Sequence, residues 1–172
     1  MQKTFLAQNI QTLKIIAPER LLIKKIKQSL NLIEKVNRNE YKNLFKRIHI
    51  IFITNRYGHT NEFFMPEKIW FANKSVIKNN DVGWLASLII HEAFHATQFK
   101  NGKYIAPLLR LEAPAMMVQK QFLQKIKDPN ASTDIKKVVR QKYWRRMDKD
   151  KTSCAYFRNL LNLLKKDKIN LK

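Results

Sequence analysis

A chain of 172 residues, 45% of them apolar, is long enough to bury one core, and only 3 glycines argue against a barrel or sandwich of many tight turns. The single cysteine, Cys154, excludes an internal disulfide, and apolar runs such as Ile50-Ile51-Phe52-Ile53 fall far short of a bilayer span. With 34 Lys and Arg against 13 Asp and Glu, the net charge is +21, which draws nucleic acid, anionic lipid or acidic substrates without selecting among them.

The basic residues recur in every segment and do not gather into one block with interleaved aromatics. Solvated helix faces are therefore the favoured reading, and a nucleic-acid partner is the lesser alternative. Gln2, Thr4, Gln8, Asn9, Gln11 and Thr12 break up any signal-peptide core, so the expected location is the cytoplasm. The sequence assigns no oligomeric state.

In chain order, Phe5, Leu6, Ile10, Leu13 and Ile16 have helical spacing, and a helix is predicted over 3–16. Pro18 opens a second, with Leu22, Ile26, Leu30, Ile33 and Val36 on one side until Asn37-Arg38-Asn39. This predicted pair over 3–36 packs behind the rest. Residues 46–54 are β-branched and short and read as a strand, followed by a turn over Arg56-Tyr57-Gly58-His59-Thr60-Asn61. Glu62 to Met65, Lys68 to Ala72 and Ser75 to Ile77 read as further strands, which makes a small antiparallel sheet over 46–77. His49, on the first strand, reads as a packed or half-exposed residue and not as a ligand.

The stretch from Trp84 to Phe99 contains neither proline nor glycine, and Asp81 stands where a cap would start it, with Asn101-Gly102 as a stop. A helix over 82–99 follows. Within it lies His91-Glu92-Ala93-Phe94-His95, an H-E-x-x-H pattern. Residues four apart share a helix face, so both imidazoles can reach one metal ion, and Glu92 stands beside it to take a proton from water. The bland alternative is a buried helix whose histidines satisfy polar neighbours.

A helix predicted over 108–127 supplies a third ligand. Its apolar stripe runs Leu108, Leu111, Ala115, Met116, Phe122, Leu123 and Ile126, and Glu112 falls on that stripe. An ionised carboxylate facing a core is costly unless paired or bound to metal. Two histidines and a carboxylate form the open zinc site of hydrolases, with the fourth position left to water. Beyond Asp128-Pro129-Asn130, helices are predicted within 132–166. No linker divides the chain, so 1–172 is expected to form a single domain.

His91-Glu92-x-x-His95, then Gln98, then Glu112-Ala113 with Gln119 and Phe122, resembles the small gluzincin-type zinc metallopeptidases. The resemblance covers mainly residues 80–127. It implies a zincin-like α+β fold, mostly helical, with a small antiparallel sheet ahead of the H-E-x-x-H helix. It further implies His91, His95 and Glu112 as ligands of one zinc ion and Glu92 as general base for water attacking a peptide carbonyl, with a peptide or protein as substrate. Pro114 departs from the pattern: either the second helix kinks there, or it begins near Glu112. Tyr104, His59 and Tyr143 are rival donors to a developing oxyanion, and Gln98 and Thr97 are candidates to orient a ligand. The alternatives are a basic nucleic-acid-binding module or a zinc-binding domain without turnover.

Overall fold

The computed structural model describes residues 5–54, 62–65, 67–100, 103–104 and 108–128. The helices predicted within 132–166 lie outside them. The architecture is α+β, with a five-stranded mixed sheet in the order β1-β2-β3-β5-β4.

The first predicted helix is instead a hairpin of β1 (Leu6–Ile10) and β2 (Leu13–Ala17), paired antiparallel from Leu6↔Ala17 to Ile10↔Leu13. Its two-residue turn, Gln11-Thr12, places Gln11 at φ 52, the left-handed geometry that matches the twist of a tight hairpin. The helical spacing was misleading because β2 is inside the sheet. Leu13, Ile15, Ile16 and Ala17 are all buried, so β2 shows no alternation of apolar and polar residues.

Helix α1 (Arg20–Val36) follows the predicted stripe, with Leu22, Ile23, Ile26, Leu30 and Ile33 buried, and Pro18 stands just ahead of its N-cap Glu19. Asn37 ends α1 and starts α2 (Arg38–Arg47): its N–H donates to the Ile33 carbonyl, while its side chain accepts from the Glu40 N–H at 3.1 Å. The residues read as a stop thus also open a second helix. Together α1 and α2 form the crossover that parallel strands require, so β2 and β3 (Ile50–Thr54) run parallel.

β3 is in turn parallel to β5 (Ile69–Asn73), and only β4 (Glu62–Phe64) runs antiparallel at that end. The sheet is therefore mixed, where an antiparallel one was predicted. The strand expected over 75–77 is part of helix α3 (Lys74–Asn79), nucleated by the Asn73 side chain accepting from the Ser75 N–H at 2.8 Å.

Both faces of the sheet are apolar. Leu13, Ile15, Ala17, Ile51, Ile53, Trp70 and Ala72 join the helices in the main core. On the other side, the rings of Phe5 and Phe52 lie 5.2 Å apart, and those of Phe52 and Phe71 5.9 Å apart.

Helix α4 (Val82–His95) runs through this core and is buried on nearly every side, from Leu85 to Ala93 without a break. Its largest contacts are with α5 (Leu108–Lys125) and α1. Ser29 on α1, fully buried, donates to carbonyl oxygens of Lys25 and Val82 and so ties the two helices. At the start of α4 a side chain on Gly83 would put its Cβ 2.9 Å from Ile126 Cδ1, so the missing side chain lets the end of the α5 segment come close.

The sequence-predicted cap is formed: the Asp81 carboxylate accepts from the Trp84 N–H at 2.7 Å. Asp81→Ala should lower unfolding free energy by about 1 kcal/mol, the usual worth of such a cap. Denaturant unfolding would show this as a lower midpoint with an unchanged slope; an unchanged midpoint would contradict the role given to Asp81.

Candidate metal centre

Because α4 is an uninterrupted helix from Val82 to His95, His91 and His95 lie one turn apart on one face. Their rings stand edge to face at 80° with centroids 5.0 Å apart, and both Nε2 atoms point to one place, 3.3 Å from each other. Glu112 arrives from α5, with Oε2 3.3 Å from His91 Nε2 and Oε1 3.4 Å from His95 Nε2. The described residues bring these three, and no fourth potential ligand, into one group. Pro114 lies inside α5, which begins at Leu108, so the helix runs through the proline and does not start beside Glu112.

The hydrogen-bond directions fix which histidine nitrogens face the centre. α4 was expected to reach 99, but it stops at His95 and tightens into a 3-10 turn over Ala96–Gln98. In that geometry side chains three apart eclipse, which sets Gln98 over His95. Gln98 is buried and donates its amide N–H to the Leu111 carbonyl at 2.8 Å, leaving Oε1 to face His95 Nδ1 at 2.7 Å. An amide oxygen only accepts, so Nδ1 carries the proton and Nε2 offers a lone pair.

His91 has a parallel arrangement that is not closed. Ser87 donates to the Trp84 carbonyl at 2.6 Å, so its oxygen accepts from Gln119 Nε2 at 3.2 Å. That turns the Gln119 oxygen toward His91. Yet His91 Nδ1 is buried and makes no hydrogen bond. Gln119 lies close enough to influence the ring without reaching hydrogen-bonding geometry. A buried polar group left so costs roughly 1–3 kcal/mol.

Two nitrogen lone pairs and a carboxylate aimed at one point repel unless something positive lies between them. The two Nε2 atoms are 3.3 Å apart and each lies 3.3–3.4 Å from a different oxygen of the Glu112 carboxylate, close enough for one ion with bonds of about 2.0–2.1 Å to be reached by all three side chains. Calcium, with bonds of about 2.3–2.6 Å and a demand for more oxygens, fits poorly. The donor set of two imidazoles and a carboxylate can therefore hold a metal ion.

Titration of the group follows its geometry. Burial works to lower the His91 pKa, but the Glu112 hydrogen bond, the charges of Glu92 and Glu112, and Gln119 outweigh it, so His91 is raised above an ordinary histidine. His95 goes the other way, lowered by burial and by the adjacent His91 charge against Glu112 and Gln98. Burial would raise Glu112, yet the His91 hydrogen bond and the charges of both histidines hold it below an ordinary carboxylate.

Glu92 is buried at 4% exposure beside His91, outside the ligand group. Thr97 is exposed and donates to the Phe94 carbonyl at 2.7 Å, so it does not support a ligand. Gln119, given no role from sequence, sits against His91; its place two turns beyond Glu112 on the same helix face was the available signal. His49 is exposed at the start of β3, where burial and Lys68 lower its pKa, and is not part of the group. His59 and Tyr143 lie outside the described residues, as does the side chain of Tyr104, whose backbone is in the short strand β7 (Lys103–Tyr104) paired with β6 (Phe99–Lys100).

In metal-free protein, the His91 contribution to folding is fully present below the unfolded histidine value (~6.5) and is lost as pH rises through its raised folded value. Those of Glu112 and His95 are present above their unfolded values and lost as pH falls through their lowered ones. Metal binding takes Nε2 of His91, so below the raised His91 pKa it should release a proton and weaken as pH falls. Calorimetry in buffers of different ionisation enthalpy measures that release. Imidazole NMR of metal-free protein should show His91 titrating above His95, and Glu112→Gln should bring His91 down; the reverse order of the two histidines would contradict the assignment.

No family model, curated protein or solved structure matches the chain. Its capacity to hold a metal is carried by the geometry of His91, His95 and Glu112.

Proposed function

We propose that the chain is a zinc-dependent hydrolase, a metallopeptidase of the gluzincin kind that its motif resembles, with His91, His95 and Glu112 as zinc ligands and Glu92 as general base. The observation that carries this reading is the convergence of the three donor side chains, the two Nε2 atoms 3.3 Å apart and each 3.3–3.4 Å from one oxygen of the Glu112 carboxylate. Two imidazoles with one carboxylate favour zinc over the hard, oxygen-seeking cations. A bound zinc ion would supply Lewis acidity, polarising a carbonyl oxygen and acidifying water.

The chain's own groups supply the remaining chemistry. The Glu112 side chain is 25% exposed, against 10% and 8% for His91 and His95, so the triangle opens to solvent on the carboxylate side. Substrate and water enter there. Glu92, next to a ligand and shielded from bulk water, takes the proton of the attacking water and passes it to the leaving amine. β4, at the end of the sheet, packs against α4, and an end strand is where an extended peptide adds by backbone pairing. This favours a peptide over a small amide as substrate. Among the described residues no helix is long and apolar enough to cross a membrane.

Purified protein should contain about one zinc per chain. His91→Ala, His95→Ala and Glu112→Ala should lose it. Glu92→Gln should keep the metal and lose hydrolysis of a mixed peptide library by at least about 100-fold, the scale of a general base. A zinc-free wild-type protein, or full hydrolysis by Glu92→Gln, would remove the proposal.

A further inference from the structure

Each imidazole of the centre faces a buried glutamine, and the two glutamines come from opposite helices. Gln98 follows α4 and donates to the Leu111 carbonyl of α5; Gln119 is on α5 and donates to Ser87 of α4. Both are 4% exposed, in a chain where 27% of residues are charged. A glutamine this deep is retained at a cost unless both ends of its amide are used. Gln98 uses both. Gln119 is held through its nitrogen by Ser87, and the His91 ring beside it keeps a buried Nδ1 that makes no hydrogen bond.

We infer that Gln119 is a positioning residue for the metal centre: its side-chain oxygen accepts from His91 Nδ1 when Nε2 engages an ion, and Ser87 fixes the direction of the amide that makes this possible. The inference rests on the zinc-site reading and adds to it a residue and a relay. The relay runs from the Trp84 carbonyl through Ser87 and Gln119 to His91, and every member has a fixed donor or acceptor role. The last bond is the one left to form, since His91 Nδ1 is buried without a partner while Ser87 holds the Gln119 amide. Each brace also crosses between the helices that carry the ligands, so the same two amides that orient the rings hold α4 and α5 at the spacing the triangle needs. Both acceptors are neutral. They add no charge to that of Glu112 and the neighbouring Glu92, in contrast to a centre whose histidines lean on carboxylates.

The test is zinc affinity of purified full-length protein, measured by competition with a chromophoric chelator, alongside thermal unfolding of each metal-free variant. Gln119→Met keeps the volume and removes the acceptor; affinity should fall about 10–100-fold, the range for loss of a partner behind a ligand. Gln119→Glu keeps an acceptor and should restore affinity to the wild-type level or above it. Ser87→Ala releases the amide and should weaken binding less than Gln119→Met. In zinc-loaded wild type, long-range nitrogen–proton NMR should show Nδ1 of His91 protonated and protected from exchange, and Gln119→Met should lose that protection.

A role in packing alone predicts lower melting temperatures for Gln119→Met and Ser87→Ala with wild-type zinc affinity, and that result overturns the inference while leaving the zinc site standing. Wild-type protein that takes up no zinc overturns both. Should Gln119→Met fail to fold, Ser87→Ala decides: unchanged affinity, with His91 Nδ1 unprotected in the loaded wild type, rejects the relay.

Discussion

Two nitrogen lone pairs and a carboxylate converge within a few ångströms in a part of the molecule largely closed to water, and that convergence is the constraint on which the centre depends. Left alone it is repulsive, because a low-dielectric interior strengthens the mutual repulsion of like partial charges. Either a proton or a cation must occupy the gap. The raised pKa of His91 and the lowered one of Glu112 fit the first solution, a proton on the imidazole facing the carboxylate, and the close approach of the three donor groups fits the second.

What holds the convergence in place is mostly apolar. α4 is surrounded by α1, α2, α5 and β4, and its buried run from Leu85 to Ala93 gives the helix one position and one rotation. Once that rotation is set, only His91, Glu92 and His95 interrupt the apolar surface at its far end, and among the described residues α5 answers the two histidines. Glu112 does so directly. Gln119 and, through the Leu111 carbonyl, Gln98 do so at one remove.

Pro114 belongs to the same arrangement. Without an N–H it leaves the carbonyl of Arg110 short of a helical donor and opens the ladder beside Leu111, whose carbonyl has a second lone pair to offer. Gln98 takes it. The 3-10 turn after His95 contributes from the other side, since an α-helix continued to residue 99 would not eclipse Gln98 with His95. The 3-10 turn and the Leu111 carbonyl, one residue beyond the carbonyl that Pro114 leaves without a donor, thus both belong to the brace on His95.

The metal-binding motif, the Asp81 cap and the carboxylate helix were legible from the sequence because each depends on contacts within a few residues or on one helical stripe. The hairpin of β1 and β2 was not, since its apolar spacing suits a helix and the turn Gln11-Thr12 carries no glycine; burial on both faces of β2 decided it. Nor was α2, whose start shares Asn37 with the end of α1, or the parallel pairing of β3, which follows from the crossover they form. By itself the sequence determined which side chains can bind an ion, through the period of one helix. Only the tertiary structure decided that Glu112 reaches them, that Thr97 does not serve them and that Gln119 stands behind them, because those outcomes depend on how one helix lies across another.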